Sequence, residues 1–564
     1  MRRLLRLIPS VAGVLAVLAA LALVLRFVWS PAYVEEFTSD TADTLLWAQA
    51  AADAGWIVDR DFSYGYVIPL GGQLLVRPFL GAFGGGVDAL RAGMTVFALL
   101  LAGAVFAFFR SAGLRVAGAG AASAFVLLAL SATVKLREVV YGHVLYYSLS
   151  ALAVALAFAL LPASAADGAA PSSGRSRAWR FAALAAVLAW AAANGAPCLL
   201  YAVIPFVFAL AAVRALDPER LSFRTIRLPL VAAVAGVVGL VLHAILVRGV
   251  PVAYGSFYDT LSPSRAWGPH LLSLTQSWCT LLCDMPGNPQ FPATSMEGLR
   301  HSLRLALSVA LPAAALGSLF AWRRLSPRTR MVALAHLAVF AATAFFQVFG
   351  NIADGNWRHI PTLFLQLVLA PLLVRDAWRA GVVPRRAAAL AALVLAVLTI
   401  LFAGRLAHLP GQAASTPDAA RAWTGPQSIL TVLREQDVDA AFCMDFWSAN
   451  AVTALSTLDG NPFLPVREVG FTEKKGWHRR AFNNASRHYA PDPSRRRTAL
   501  VCPPELEPFA PAERRLAAVL CRQADYRNHR WNDFVAIIYD GDLPIPCPAA
   551  VPPADETPDN TESK

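Results

Sequence analysis

Glu35-Glu36-Phe37-Thr38-Ser39-Asp40-Thr41-Ala42-Asp43 holds four carboxylates in nine residues, immediately beyond the first apolar segment of the chain. Most acids elsewhere in the first half are isolated. A carboxylate cluster just outside a membrane helix can stay ionised in interfacial water, where it takes a proton from an attacking hydroxyl or holds a cation. The segment before it starts with Arg2, Arg3 and Arg6 and stays apolar over 11–29. That run is longer than a signal-peptide core of about 7–15 residues and lacks a small-residue cleavage site, so it reads as an uncleaved first helix.

The composition agrees with a membrane setting. The 564 residues are 57% hydrophobic and 15% charged, with a mean hydropathy of +0.50, and about 20 consecutive apolar residues suffice to span a bilayer. A net charge of +12 is not read as a nucleic-acid footprint, because the arginines lie mainly in short connections between apolar segments. No nucleic-acid partner is expected.

Apolar segments follow at 92–109, 116–134, 145–161, 181–193, 198–213, 228–247, 303–322, 331–349, 360–374 and 387–403. The expectation is an α-helical polytopic membrane protein of about eleven transmembrane helices. With a cytoplasmic N-terminus, alternate loops are basic: Arg110/Arg115, Arg175/Arg177/Arg180, Arg214/Arg220/Arg224/Arg227, Arg323/Arg324/Arg328/Arg330 and Arg375/Arg379/Arg385/Arg386, as cytoplasmic loops require. The long inserts, 30–91, 248–302 and everything after about 404, fall on the other side. The stretch 181–213 is either one helix kinked at Asn194-Gly195-Ala196-Pro197 or two short ones; the basic loops after it favour two.

Cys279, Cys283, Cys443, Cys502, Cys521 and Cys547 all fall on the expected outer side. An even number there is compatible with disulfides, and Cys279 with Cys283 fits a disulfide better than a metal site, although unpaired apolar cysteines remain an alternative. From about Pro410 the sequence turns polar and Pro-rich, with strand-like runs at 440–442 and 534–539 and helix candidates at 425–436 and 511–523. The division is a transmembrane part over 1–405 with its first outer loop at 30–91, a small α/β extracytoplasmic domain over 406–548, and a disordered tail at 549–564.

Within the first outer loop, Asp40 and Asp43 are three apart and share a helix face, ahead of Leu45, Leu46 and Trp47, which suit a membrane surface. One reading makes Asp40 an N-cap with Asp43 at N3. The other makes one of them a catalytic base, because capping needs a single acid and the loop also offers Glu35 and Glu36. Further on, Asp59, Asp61, Tyr64, Tyr66, Gln73 and Arg77 mix aromatic and polar groups in the manner of a sugar site, or of an ordinary interfacial loop. Lys135-Leu136-Arg137-Glu138-Val139-Val140-Tyr141-Gly142-His143 gathers two cations, an acid and a histidine at the same surface, a set suited to a phosphate and a second acid. Arg358 opens a helix from outside, either as a bidentate phosphate ligand or as an interfacial anchor.

Together these pieces resemble the C-superfamily of integral-membrane glycosyltransferases (GT-C), including uncharacterised bacterial members. The resemblance rests on the acid-bearing first outer loop (Glu36, Asp40, Asp43), on Arg358-His359-Ile360-Pro361, where the family often has Tyr at the place of His359, and on a polar C-terminal domain. In that domain Phe446-Trp447-Ser448-Ala449-Asn450-Ala451-Val452-Thr453-Ala454-Leu455-Ser456 looks like the family's strand-to-helix turn. The Asp-Glu dipeptide common in the family is replaced here by Ser39-Asp40.

The resemblance implies transfer of a hexosyl or pentosyl group, with inversion, from a polyprenyl-phosphate donor to an envelope glycan, lipid or protein acceptor, outside the cell membrane of a bacterium and among membrane lipids. Asp40 is then the expected base, with Asp43 and Glu36 as alternates. Arg358, Arg137 and His143 would hold the donor phosphate, and Tyr64, Gln73, Glu138 and His359 would line the substrate site. No cofactor is certain; a divalent cation, Mg2+ or Mn2+, fits the acid cluster. The competing class is a transporter or flippase of lipid-linked glycans, which would carry ionisable residues at mid-membrane, where this chain has only His243 and His336.

Overall fold

A computed structural model of the protein describes residues 2–143, 147–161, 174–216, 227–252, 260–283, 292, 294–350, 356–381, 384–412, 426–444, 446–458, 461–472, 476–479, 484–485, 489–522 and 533–543. The chain runs through α1 (Arg2–Val28), α2 (Pro31–Glu35), α3 (Ser39–Asp53), β1 (Phe62–Ser63), α4 (Gln73–Leu80), α5 (Val87–Ser111), α6 (Val116–Ala129), α7 (Val134–Tyr141), α8 (Tyr147–Leu160) and α9 (Gly174–Ala193). Next come α10 (Ala196–Cys198), which passes through a π-helical turn into α11 (Ile204–Leu216), then α12 (Arg227–Leu246), α13 (Trp267–Cys283), α14 (Met296–Phe320), α15 (Pro327–Phe349), α16 (Ile360–Ala380) and α17 (Arg385–Gln412).

Among the described residues eight helices are long and apolar enough to cross a membrane, or nine if α6 and α7, bent by 107° at Leu130–Thr133, form one span. Two shorter apolar helices, Tyr147–Leu160 and Ala178–Ala193, lie where further segments are expected. The protein is a multi-pass membrane protein. Small residues let the first helices meet: a Cβ on Gly120 would collide with the Gly13 carbonyl oxygen, so α1 and α6 cross backbone to backbone.

The 181–213 stretch is two helices. Gly239 of α12 lies against Ala189 and Ala192 of α9, and His243 against Gly195, so α9 and α12 rise together. Gly236 lies against Val203, so the chain from α10 into α11 descends beside α12. Gly195, at φ 85°, makes the reversal, a conformation that a side chain resists.

Two ends of the bundle are distinct. At one end Arg328 donates to the Leu161 carbonyl at 2.6 Å, Arg375 to that of Ala112, and the Ser326 amide to Asp376 Oδ2 at 2.8 Å. The basic loops around 110–115, 323–330 and 375–379 therefore gather together. At the other end Thr133 donates to the Leu281 carbonyl at 2.9 Å, the Leu70 amide to Asn194 at 2.9 Å, and the acidic loop meets the C-terminal domain.

That domain contains α18 (Pro426–Glu435), β2 (Ala440–Cys443), α19 (Phe446–Leu455), β3 (Val466–Thr472), β4 (Gly476–Arg479), β5 (Asn484–Ala485), β6 (Arg497–Cys502), β7 (Arg515–Arg522) and β8 (Asp533–Asp540). Its six-stranded sheet has the order β4-β3-β2-β6-β8-β7, parallel in β3-β2-β6 and antiparallel elsewhere. The helix expected at 511–523 is instead the edge strand β7. It pairs along β8 from Arg515 to Arg522. β1 of the first loop pairs with β5, Phe62 opposite Ala485, and α3 packs on α19.

Cys279, Cys502 and Cys521 are free thiols. Cys443 pairs with Val501 across β2 and β6, so Cys443 and Cys502 point to opposite sheet faces and cannot reach one another. The Cys283 side chain, Cys547 and the tail at 549–564 lie outside what is described.

Candidate active site

Local sequence sets the site's frame. α3 starts at Ser39, and Thr38 is its N-cap, accepting from the Thr41 amide at 3.4 Å. Asp40 is therefore not the cap. It stands in the first turn, where a carboxylate profits from the helix dipole. The apolar run behind it does not lie on the membrane surface: Leu45, Leu46 and Trp47 are buried, because α3 is covered by the bundle on one side and by α19 on the other.

α7 supplies the partners. The Lys135 ammonium lies 3.9 Å from Asp40 Oδ2 and 2.7 Å from Glu138 Oε1, and Thr38 donates to the same Glu138 oxygen at 3.0 Å. Asp40 and Lys135 each keep 18% of their side chain exposed. Burial pushes the Asp40 carboxyl above the usual carboxylate range, and Lys135 partly offsets this. The resulting group is poised to accept a proton closer to neutrality than a solvated aspartate. Asp43, one turn on, is buried.

Arg137 differs from Lys135. Its guanidinium is 1% exposed and forms a bidentate pair with Glu36, with Nε to Oε2 at 2.8 Å, while Nη1 donates to the Ser131 carbonyl at 3.0 Å and the cation stacks 5.3 Å from the Phe27 ring. Arg137 and Glu36 satisfy each other inside the protein. This pairing engages two groups that the sequence offers as a phosphate ligand and an alternate base. Lys135, the other cation of this stretch, is the more exposed of the two. The signal available was its spacing, i and i+3 from Glu138.

His143 is buried, and burial lowers its pKa to about 4, so the ring is neutral at physiological pH. A neutral ring can still offer a phosphate an N–H donor. His359 is likewise lowered to about 4 by burial; its Nε2 lies 3.0 Å from Ser277 Oγ and its ring stands edge-on to Trp278. Arg358 stands on the 3-10 turn Asn356–His359, which packs against α7 and α13. That turn thus shares a neighbour with Lys135 and Glu138.

Two expected substrate residues pack within the first outer loop. Tyr64 is buried against Trp47 and Phe62, with ring centroids at 5.0 and 4.7 Å, and its hydroxyl accepts from the Asp59 amide at 2.9 Å. Gln73 is buried and donates to the carbonyls of Ile68 and Pro69. Both hold the first outer loop in shape, which apolar-polar mixing in sequence cannot distinguish from lining a site.

The arrangement does not fit a divalent cation well. Among the described residues no three His, Cys, Asp or Glu side chains converge as a metal site, and Glu36 and Glu138 each already face a cation. The two histidines within apolar helices bind neighbouring helices: His336 Nε2 meets Gln366 at 2.9 Å, and His243, near the end of α12, meets the Ala193 carbonyl through Nδ1 at 3.0 Å. They act as interhelical ties.

The fold and site define a multi-pass helical membrane protein whose acidic first loop is roofed by a sheet domain. Its architecture is similar to that of ArnT from Cupriavidus metallidurans, whose crystal structure in the apo state superposes with a TM-score of 0.51 at 14% sequence identity, covering 88% of this chain and 93% of that one. No protein-family model and no curated protein sequence matches the chain.

Proposed function

We propose that the protein is a membrane glycosyltransferase of the GT-C type that transfers a sugar from a polyprenyl-phosphate donor to an envelope acceptor on the extracytoplasmic face. The ArnT-like fold supports a lipid-linked donor, and the gathering of basic loops at the opposite end of the bundle supports the orientation. The observation that carries the reading is Asp40 beside Lys135, a carboxylate of raised basicity next to an accessible cation, beneath a covering domain.

In this reading Asp40 takes the proton of the acceptor hydroxyl. The acceptor oxygen forms a bond to the anomeric carbon as the bond from that carbon to the phosphate oxygen breaks. The electron pair leaves with polyprenyl phosphate, whose charge is held by Lys135 and Arg358; stabilising that charge is the largest contribution expected. Glu138 and Thr38 keep Lys135 in place, and His143 stays neutral beside them. The test is release of polyprenyl phosphate by the purified protein in nanodiscs from a panel of polyprenyl-phosphate sugars, with an envelope extract as acceptor. Release with at least one donor supports transfer; none with any donor counts against it.

A further inference from the structure

At the end of the bundle that gathers the basic loops, one cleft is half apolar and half cationic. α14 completes a membrane-length helix at Phe320, α15 begins the next at Pro327, and Trp322–Arg324 form a 3-10 turn between them. Gly317, Phe320, Ala321, Trp322, Arg323 and Arg324 line a cleft of about 650 Å³. α15 holds this turn from behind: Arg330, 2% exposed, lies 5.3 Å over the Trp322 ring and donates to the Arg323 carbonyl at 3.0 Å. Leu325 is buried beneath it. The cleft is therefore shaped before anything enters it.

Its lining changes character along the chain. On the α14 side a Cβ on Gly317 would meet nothing within 4 Å, and Phe320 is 97% exposed, an open apolar surface at the depth of acyl chains. Past the helix end Arg323 and Arg324 are exposed. Among the described residues neither guanidinium has a carboxylate or carbonyl partner, so neither caps the last carbonyls of α14, the usual task of an arginine in that place. The neighbouring cations are used inside the protein: Arg328 donates to the Leu161 carbonyl, and Arg375 pairs with Asp376 at 2.7 Å. That pairing also removes the nearby acid that could have answered Arg323 or Arg324.

We propose that this cleft binds an anionic phospholipid, its phosphate held by Arg323 and Arg324 and an acyl chain laid along Gly317 and Phe320. Guanidinium groups suit a phosphate diester because each offers two parallel N–H donors. A basic pocket at the cytoplasmic ends of membrane helices is the setting in which anionic head groups are bound, and Trp322 stands at the head-group level that tryptophan favours. A soluble phosphate would use the arginines and leave Phe320 bare. A zwitterionic lipid would bring a second cation towards two arginines that already lack an acid. The inference does not rest on the transfer reading, since the cleft lies at the end of the bundle away from Asp40.

The test uses the full-length protein in detergent with three probes, dioleoylphosphatidylglycerol, dioleoylphosphatidylcholine and inorganic phosphate, read by native mass spectrometry for bound lipid and by Tm. Phosphatidylglycerol should stay bound and raise Tm by a few degrees; phosphatidylcholine and inorganic phosphate should do neither. The double variant Arg323→Gln/Arg324→Gln should weaken phosphatidylglycerol binding by about tenfold while melting like wild type without lipid, because both side chains are exposed. Arg385→Gln/Arg386→Gln, which alters two exposed arginines at the start of α17, should leave the binding unchanged. Equal weakening in the two double variants would reduce the effect to a general attraction between basic loops and anionic lipid, and would overturn the inference. Binding unchanged in Arg323→Gln/Arg324→Gln would overturn it as well, and an equal rise in Tm with inorganic phosphate would assign the arginines to a soluble anion instead of a lipid.

Discussion

Lys135 stands between two carboxylates, 2.7 Å from Glu138 and 3.9 Å from Asp40. The shorter contact anchors it and the longer one leaves Asp40 room to engage a second group. A phosphate arriving at Lys135 would thus draw the cation while Asp40 turns to the acceptor. Lys135→Gln should therefore lower transfer by about 10²–10³-fold and raise the donor KM, whereas Lys135→Arg should restore part of the rate. Steady-state kinetics with varied donor checks this; unchanged donor kinetics would remove Lys135 from the site.

Asp40 should also weaken the fold it serves. Its pKa is higher folded than unfolded, so the folded state holds the proton more tightly, and ionising Asp40 withdraws stability as pH rises from the ordinary aspartate value through the raised one. Asp40→Asn is expected to melt higher than wild type at pH 7.5, with the difference shrinking towards pH 4. A lower Tm for the variant at both values would contradict burial as the cause of the shift.

The two neutral histidines work in the opposite sense. His143 and His359 are each lowered from 6.5 to about 4, so the stability they confer is complete above about 6.5 and is lost as pH falls towards 4. His143→Gln and His359→Gln, followed by thermal melts from pH 7.5 to 4, should each flatten the acid limb of the curve. An acid limb as steep as wild type in both would refute this.

Arg137 and Glu36 should behave as a structural pair. Arg137→Met or Glu36→Gln alone leaves a buried charge unmatched and should destabilise by about 3–5 kcal/mol, while Arg137→Met with Glu36→Leu should recover most of that. Equal losses in single and double variants, read from Tm, would show that the pair has another role.

The bundle was largely legible from sequence because a bilayer demands long apolar runs and flanking arginines. The two-helix reading of 181–213 came from charge alone, and the packing of Gly239 on Ala189 agrees with it. α13 went unseen because Trp267 to Cys283 mixes polar and apolar residues at a surface with no strict period. At the site, residue types pointed to the loop but not to the roles. Arg137 and Lys135 are two apart and equally cationic in sequence; on α7 they sit about 200° apart around the helix, so one is buried against Glu36 while the other reaches Asp40. Leu45, Leu46 and Trp47 read as membrane-facing because nothing in sequence announces that α3 is covered by the bundle and by α19, about 400 residues later.

The most direct measurement is polyprenyl phosphate release by wild type and Asp40→Asn, side by side in nanodiscs with the same donor panel and envelope extract. Release by wild type, reduced about 10²–10⁴-fold in the variant with folding intact, is the expected result. Equal release by both proteins would contradict Asp40 as the base, and no release by wild type with any donor would contradict the transfer itself.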